Sequence, residues 1–519
     1  MPHLHFQHLQ PYPISFYKDG ISHLSYPDTL IDTQVVRACV KAQIVRSKIR
    51  LKRVCEQLAC LTSSDLKRGL KRLHTLHPSL IKWGDQSRTM VENKLNIVVV
   101  GGGIVGCTTA YYLTRHPSYD PSVHSITLLE ATRIGGGASG KAGGLLAQWA
   151  YPTSIVPLSF DLHSELAEEH NGEELWGYRR IHCGKLIARD RNLPALPSST
   201  WAQLRSWIPL GKQKYQQNDS RNLPESELPE DLDWFNSKCV ETYEDISTSS
   251  ATAQVQPFHF TTAMARLAEE GSAKVILGSV DKINYGFPDK SEEGEPYVFG
   301  QKRVESVTYT DKGTFESQTI PADIIVLAAG PWTPVLYPPA PIAALRAHSI
   351  TIRPPKPVSA YCLFTEITVP LTATDEELSG TPLETTKIMS PEIYSRPNNE
   401  VYVCGTGDNE MPLPANTDEV EVSKEKCQDI VDAIGGISDD LREGVVTSRR
   451  ACYLPTVDVG GSGGPLIGKT GIPGLLMATG HSCWGIHNAP ATGKLISEII
   501  FDGEARSADI AGLDPQLVV

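Results

Sequence analysis

Glycines at 101, 103 and 106 form a G-x-G-x-x-G run, and an acid, Glu130, follows 24 residues after the last of them. At this spacing the first glycine allows a tight turn and the second lets the backbone approach a pyrophosphate. The third lets a helix pack close to a strand. An acid at that remove accepts hydrogen bonds from a ribose and repels a 2′-phosphate. The chemistry so encoded is dinucleotide binding. It requires a strand, a turn, a helix and a second strand, and the flanking residues supply all four. Ile97–Val100 is a β-branched run suited to a strand buried on both faces. "CTTAYYLTRH" reads as a helix that begins near Ile104, with Val105 in its first turn and its positive end toward the phosphates. "SITLLEA" (125–131) reads as the second strand, closing on Glu130.

NAD and FAD both fit this first turn. A second small-residue loop separates them: "RIGGGASGKAGGLLA" (133–147), with Ala138, Ser139, Gly143, Gly144 and Leu145. A nicotinamide enzyme has no use for it. FAD runs extended across its domain and needs small residues where it passes the backbone. A third such turn is "ADIIVLAAGPWTP" (322–334), a buried strand leading into Ala329, Gly330 and Trp332.

The chain has 519 residues, enough for two or three domains. With 40% hydrophobic and 21% charged residues it has an ordinary globular composition. No apolar run approaches the ~18–20 residues of a membrane-spanning helix. The net charge of −12 argues against a nucleic-acid partner. Eleven cysteines are scattered without C-x-x-C pairs or zinc-like Cys/His spacing, so no metal is expected and a reducing, cytoplasmic setting suits them. Residues 1–94 differ from the rest, with 15 Lys/Arg against 7 Asp/Glu. They read as a basic, weakly ordered extension, with a late targeting or membrane-surface helix over 37–61 as the alternative. Met90 stands just before the first strand, and we expect the functional core to begin near it.

The three small-residue segments together resemble the D-amino-acid-oxidase-like FAD oxidoreductases, the family of glycine and sarcosine oxidases, over roughly 95–510. "GLLMATGHSCWGIHNAPATGKLISEII" (474–500) looks like that family's strand, Gly-His turn and final helix beside the flavin. "EIYSRPNNEVYVCGTGD" (392–408) resembles its paired substrate-domain strands. The fifty residues from "TRHPSYD" to "SFDLH" resemble a fungal branch of oxidoreductases of undefined substrate.

The resemblance implies an α/β fold: a Rossmann-like, glutathione-reductase-like, discontinuous FAD-binding domain. An inserted α+β substrate domain is built on a mixed or antiparallel sheet. The expected FAD pieces are 95–190, 256–345 and 451–519, and the expected substrate pieces 191–255 and 346–450, after the extension 1–94. FAD is expected non-covalently bound, although Cys452 stands near the place where sarcosine oxidases bond their flavin. Val280 falls where the family's adenine-side strand gives a backbone contact. Gly480, His481, Gly485 and Ile486 fall beside the flavin ring. The final helix is expected to start near Pro490, and Trp484 to wall the pocket.

The family reaction is hydride transfer from an amine-bearing carbon to flavin, with oxygen or another acceptor taking the electrons. Many members hold the substrate carboxylate with an Arg, whose fork suits it bidentately. Here Leu454 and Pro455 are adjacent with no Arg between them, and Cys483 fills a second position where some members have Arg. Replacement contacts are sought in Arg346, His348, Tyr394, Arg396, Arg449 and Arg450. The expected function is FAD-dependent oxidation of a C–N bond in a small amine or modified amino acid. The alternative is a flavoprotein working mainly through protein partners, as in endosomal trafficking. That alternative would place it at the late endosome; a mitochondrial location follows if the extension is a targeting segment.

Overall fold

The computed structural model describes residues 94–193, 228–287, 302–371, 385–459 and 464–519. All lie in one compact unit, 92–203 with 217–519. The readings placed on residues 1–93, including the basic stretch and the Met90 start, fall outside the described residues.

Leu95–Val100 forms the centre of an eight-stranded sheet. It runs parallel to His124–Glu130 on one side and Ile324–Leu327 on the other, with Val99 opposite both Leu128 and Val326. Alternate residues feed two different cores. Ile97 and Val99 enter the helix-covered core, while Val98 and Val100 enter the core beneath a β-meander. Being buried on both faces explains the unbroken β-branched run, each side chain contributing about 1.5–3 kcal/mol. The strand Lys274–Gly286 is parallel to His124–Glu130 over its first four residues. It then peels into the antiparallel meander with Arg303–Asp311 and Ser317–Pro321. Beyond Ile324–Leu327 lie Leu475–Thr479, parallel, and Leu466–Lys469, antiparallel.

Helices Ile104–Arg115, Pro257–Glu270 and Gly485–Phe501 contribute to the first of these cores. The final helix begins at Gly485, not near Pro490, which stands inside it. Proline lacks the N–H that would bond the carbonyl four residues back. That carbonyl, of Ile486, is taken by His163 Nε2 at 3.0 Å, and the next, of His487, accepts from Ser159 Oγ at 2.6 Å. The helix Val156–Glu169 thus supplies from its side chains what the proline removes.

The second large sheet carries the order Val445–Val457, Ile342–Arg353, Glu400–Asp408, Glu392–Arg396, Tyr361–Pro370, His182–Arg189, Val240–Ser247. It is antiparallel except where Tyr361–Pro370 lies parallel to His182–Arg189. Ile350, Ile352, Leu363, Ile393, Val401 and Val403 face helices Lys424–Gly435 and Asp439–Glu443. The opposite face carries Cys362, Tyr394 and Tyr402 against Leu145, Ala147 and Trp484 of the dinucleotide-binding half.

The architecture is therefore a Rossmann-like sheet with a second, mixed sheet docked on it. Three strands fall differently from the expected boundaries. His182–Arg189 precedes residue 191 yet joins the second sheet, and Ile342–Arg353 and Val445–Val457 each straddle an expected junction at 345/346 or 450/451. Strand propensity marks a strand without saying which sheet completes its hydrogen bonds.

Candidate functional site

The carboxyl ends of the parallel strands meet at the glycine turn, the place where open α/β sheets bind ligands. Gly101 has φ +111°, and a β-carbon there would lie 2.4 Å from the Ala328 carbonyl oxygen. One at Gly106 would lie 1.9 Å from the Gly101 oxygen. These two glycines are required by the protein's own backbone. Gly103 differs: a β-carbon there meets only Ser139 Oγ, at 3.1 Å. The space over Gly103 is thus left free by the fold, at the N-terminal end of Ile104–Arg115. Gly103 caps that helix without a side chain. The cap comes from the second loop, where Ser139 Oγ accepts the Ile104 N–H at 2.9 Å. Val105 follows in the first turn. Glu130 Oε2 accepts the Gly102 N–H at 2.8 Å, and its Oε1 accepts that of Thr132 at 2.8 Å, so the acid sits at the rim of the turn. Val280 pairs with Tyr309 just before a register slip in the outer strand.

Ala138 opens a short 3₁₀ turn, and Leu145 begins the strand Leu145–Ala147. Gly143 and Gly144 have intramolecular reasons for being glycine. A β-carbon on Gly143 would lie 2.7 Å from the Tyr394 ring, and one on Gly144 2.1 Å from the Val255 oxygen. The loop is clamped by Arg396, whose side chain is 2% exposed. Its guanidinium donates to the carbonyls of Ala142 and Gly143, pairs with Glu400 at 2.9 Å, and stacks over Tyr402. All three nitrogens of this Arg are engaged, so the substrate-anchor role expected for it is corrected to that of a positioning residue for the second loop.

In the third turn, Ala329 precedes the 3₁₀ turn Gly330–Trp332, and a β-carbon at Gly330 would meet nothing within 4 Å. Trp332 Nε1 donates to the Pro414 carbonyl at 2.7 Å, tying the two halves together. The Gly330 oxygen accepts from Thr479 Oγ1 at 3.2 Å, which links this turn to the C-terminal one. There Gly480 (φ +79°) leads into His481, buried and 2.9 Å from Thr492 Oγ1. Thr492 donates its own proton to the Asn488 carbonyl, so His481 Nε2 is the donor of the pair. Burial pushes the His481 pKa down to about 3, and the imidazole is neutral. Gly485 and Ile486 open the final helix beside it.

Between this turn and the second sheet lies an aromatic face. Trp484 meets Trp149 edge-to-face at 5.6 Å, and Trp149 meets Phe364 at 6.0 Å. Phe364 stands directly across from Glu392, and Glu392 from Cys404. Glu392 Oε2 accepts the Tyr394 hydroxyl, and Cys404 Sγ is 3.8 Å away. Burial raises the Glu392 pKa, opposed by these two hydrogen bonds.

The sequence matches the family described as DAO, FAD dependent oxidoreductase, over residues 96–499. The chain belongs to this family. It is 37% identical to "Putative oxidoreductase TDA3" of Saccharomyces cerevisiae, over 82% of this chain and 95% of that protein. It is 33% identical to "Putative oxidoreductase C1F5.03c" of Schizosaccharomyces pombe, over 82% and 99%. Among solved structures it resembles glycine oxidase from Geobacillus kaustophilus, with a TM-score of 0.55 and 18% identity, covering 81% of this chain and 98% of that one. That likeness is one of fold. The DAO-family fold accounts for both sheets, and the residues present fit an FAD: the space over Gly103 is one that a side chain would fill and that only Ser139 Oγ borders.

Two expected substrate contacts are displaced by strand parity. Arg346 and His348 alternate with Ala347 and Ser349 and share the helix-covered face with Ile350 and Ile352. Arg346 Nε donates to Asp408 at 3.0 Å. His348 Nε2 accepts the Ser423 N–H at 3.0 Å, and Nδ1 faces Asp408 Oδ2 at 3.6 Å. Lys426 completes the network at 3.3 Å from Asp408. These side chains belong to a structural ion network turned away from the aromatic face. Cys452, paired with Ala347, is on the opposite parity beside Lys141, and burial lifts its thiol to about 11. Cys483 lies 3.8 Å from the Tyr151 hydroxyl. The residues that sequence reasoning passed over are Glu392, Trp149 and Phe364. Alternation along "EIYSR" puts Glu392, Tyr394 and Arg396 on one face, but only the sheet pairing says which face that is.

Proposed function

We propose that this chain oxidises a C–N bond of an amine or modified amino acid, with FAD held non-covalently by the three turns. The observation that carries the reading is the free space over Gly103, framed by Ser139 and the start of a helix. In this reading the pyrophosphate lies on the N–H groups of that helix end, where its dipole favours negative charge. Glu130 holds the ribose, and the backbone at Val280 borders the adenine. Bound FAD supplies the acceptor for hydride. The chain supplies orientation: Trp484 walls the pocket, Arg396 fixes the loop opposite, and the Gly485–Ile486 helix end faces the ring's polar edge. His481 is neutral, so positive potential at that edge comes from helix N–H groups and not from an imidazolium.

The glycine oxidase likeness does not make glycine the substrate, because the arginines expected for a carboxylate are missing at 454/455 and 483. A carboxylate without a charged partner in a desolvated pocket forfeits its hydration. The test is anaerobic titration of the purified yellow protein with primary and secondary amines, against glycine, sarcosine and D-alanine. Bleaching by an amine but not by the three amino acids supports the reading. A colourless protein, or a flavin that no amine reduces, overturns it.

A further inference from the structure

Glu392 sits in the aromatic face without a counter-charge. Its Oε2 takes the Tyr394 hydroxyl, but no hydrogen bond reaches Oε1, and no Lys, Arg or His pairs with it among the described residues. Half-buried in this way, a carboxylate gains from a cation or a proton that joins it. Phe364 faces it across the strand pair, and Trp149 and Trp484 continue the wall edge-to-face. Trp149 Nε1 is buried without a partner among the described residues. Two arginines of the same sheet are engaged elsewhere: Arg396 by the second loop and Glu400, Arg346 by Asp408 on the other face. Aromatic faces with one carboxylate are the chemistry of cation recognition. They repel an anion.

Resting on the reading that amines are oxidised in this pocket, we propose that Glu392, with Trp149, Phe364 and Trp484, binds the substrate's ammonium group. The substrate class is then aliphatic or aromatic amines bearing no carboxylate beside the nitrogen. The same carboxylate has a second use. Hydride cannot leave the carbon of an ammonium ion until the nitrogen lone pair is free. Glu392 Oε1 takes one proton from R–CH₂–NH₃⁺, leaving R–CH₂–NH₂ and a neutral carboxylic acid; no electrons move in this step. Burial, which raises the affinity of this carboxylate for a proton, suits it to the task.

The experiment uses the purified flavoprotein and three probes of one shape: hexylammonium, hexanoate and hexan-1-ol. Binding is read from tryptophan fluorescence and from shifts of the visible flavin band. Hexylammonium should bind at least tenfold more tightly than either other probe. Glu392→Gln should weaken it at least tenfold, to the level of hexanol, with flavin content and melting temperature retained. Equal or tighter binding of hexanoate, no binding of hexylammonium, or an unaltered affinity in Glu392→Gln overturns the proposal. Should that variant not fold, the comparison of the three probes on the unmodified protein decides alone. Hexylammonium that binds through Glu392 in a protein whose flavin no amine bleaches sustains this site while sinking the oxidation reading. Bleaching by hexylamine that persists undiminished in Glu392→Gln does the reverse.

Discussion

Replacing Gly103 by valine separates what the fold needs from what the cofactor needs. Gly103 has φ −73° and ψ 175°, extended backbone that any residue adopts, so no strain is introduced. Its new β-carbon meets only Ser139 Oγ, at 3.1 Å. The cost to the protein alone is an unfavourable N-cap plus a weakened Ile104–Ser139 hydrogen bond, together about 1–3 kcal/mol. The isopropyl group fills the space assigned to the pyrophosphate. Losing two charge-assisted hydrogen bonds there, at about 1.5–3 kcal/mol each, weakens FAD by roughly a hundredfold to ten-thousandfold. Gly101→Val is the contrast, because φ +111° and a 2.4 Å approach to the Ala328 oxygen forbid the side chain outright. The assay is the ratio of flavin to protein absorbance after purification, with melting curves measured with and without added FAD. Gly103→Val should be colourless and folded, and Gly101→Val should fail to fold. A Gly103→Val protein with full flavin content refutes the placement of the pyrophosphate. One that loses as much stability as Gly101→Val refutes the argument that the space is free.

Glu130→Ala should weaken FAD tenfold to a hundredfold, measured by equilibrium titration, since it removes charge-assisted bonds worth about 1.5–3 kcal/mol. Arg396→Met should cost about 2–4 kcal/mol in urea denaturation and lower flavin retention, because it strands Glu400 and two loop carbonyls; Arg396→Lys should rescue little, lacking the planar fork. His163, His481 and His487 are held neutral by burial, at about 4, 3 and 3, below the ordinary 6.5. The unfolded chain therefore binds more protons below pH 6.5, so stability rises with pH between about 4 and 6.5 and levels off above. Each histidine contributes a slope of about 1 kcal/mol per pH unit. Denaturation midpoints at a series of pH values should show this slope, and His481→Asn should make it shallower; a flat profile contradicts it.

The dinucleotide turn was legible because several independent signals coincide between Leu95 and Glu130: a doubly buried strand, three spaced glycines, a helix and a terminal acid. Each stays close to the others along the chain. The second sheet was not legible in that way. Whether His182–Arg189 joins the first or the second sheet is decided by Tyr361–Pro370, whose pairing residues lie far along the chain. Arg346 and His348 look like anchors in sequence, yet a single step of strand parity sends them to the helix-covered face. Pro490 reads as a helix start, and it sits within a helix because Ser159 and His163 cover the freed carbonyls. Glu392 carries no sequence signal of its own. Its meaning comes from Phe364 and Cys404 across the strands and from the absence of a paired cation among the described residues.

The central claim is that hydride leaves an amine-bearing carbon. It is tested most directly by a single turnover of the purified flavoprotein without oxygen, comparing an amine that bleaches the flavin with the same amine deuterated at the α-carbon. The account predicts one carbonyl product for each flavin bleached and slower bleaching for the deuterated amine. Bleaching without a carbonyl product, at the same rate for both amines, would contradict it.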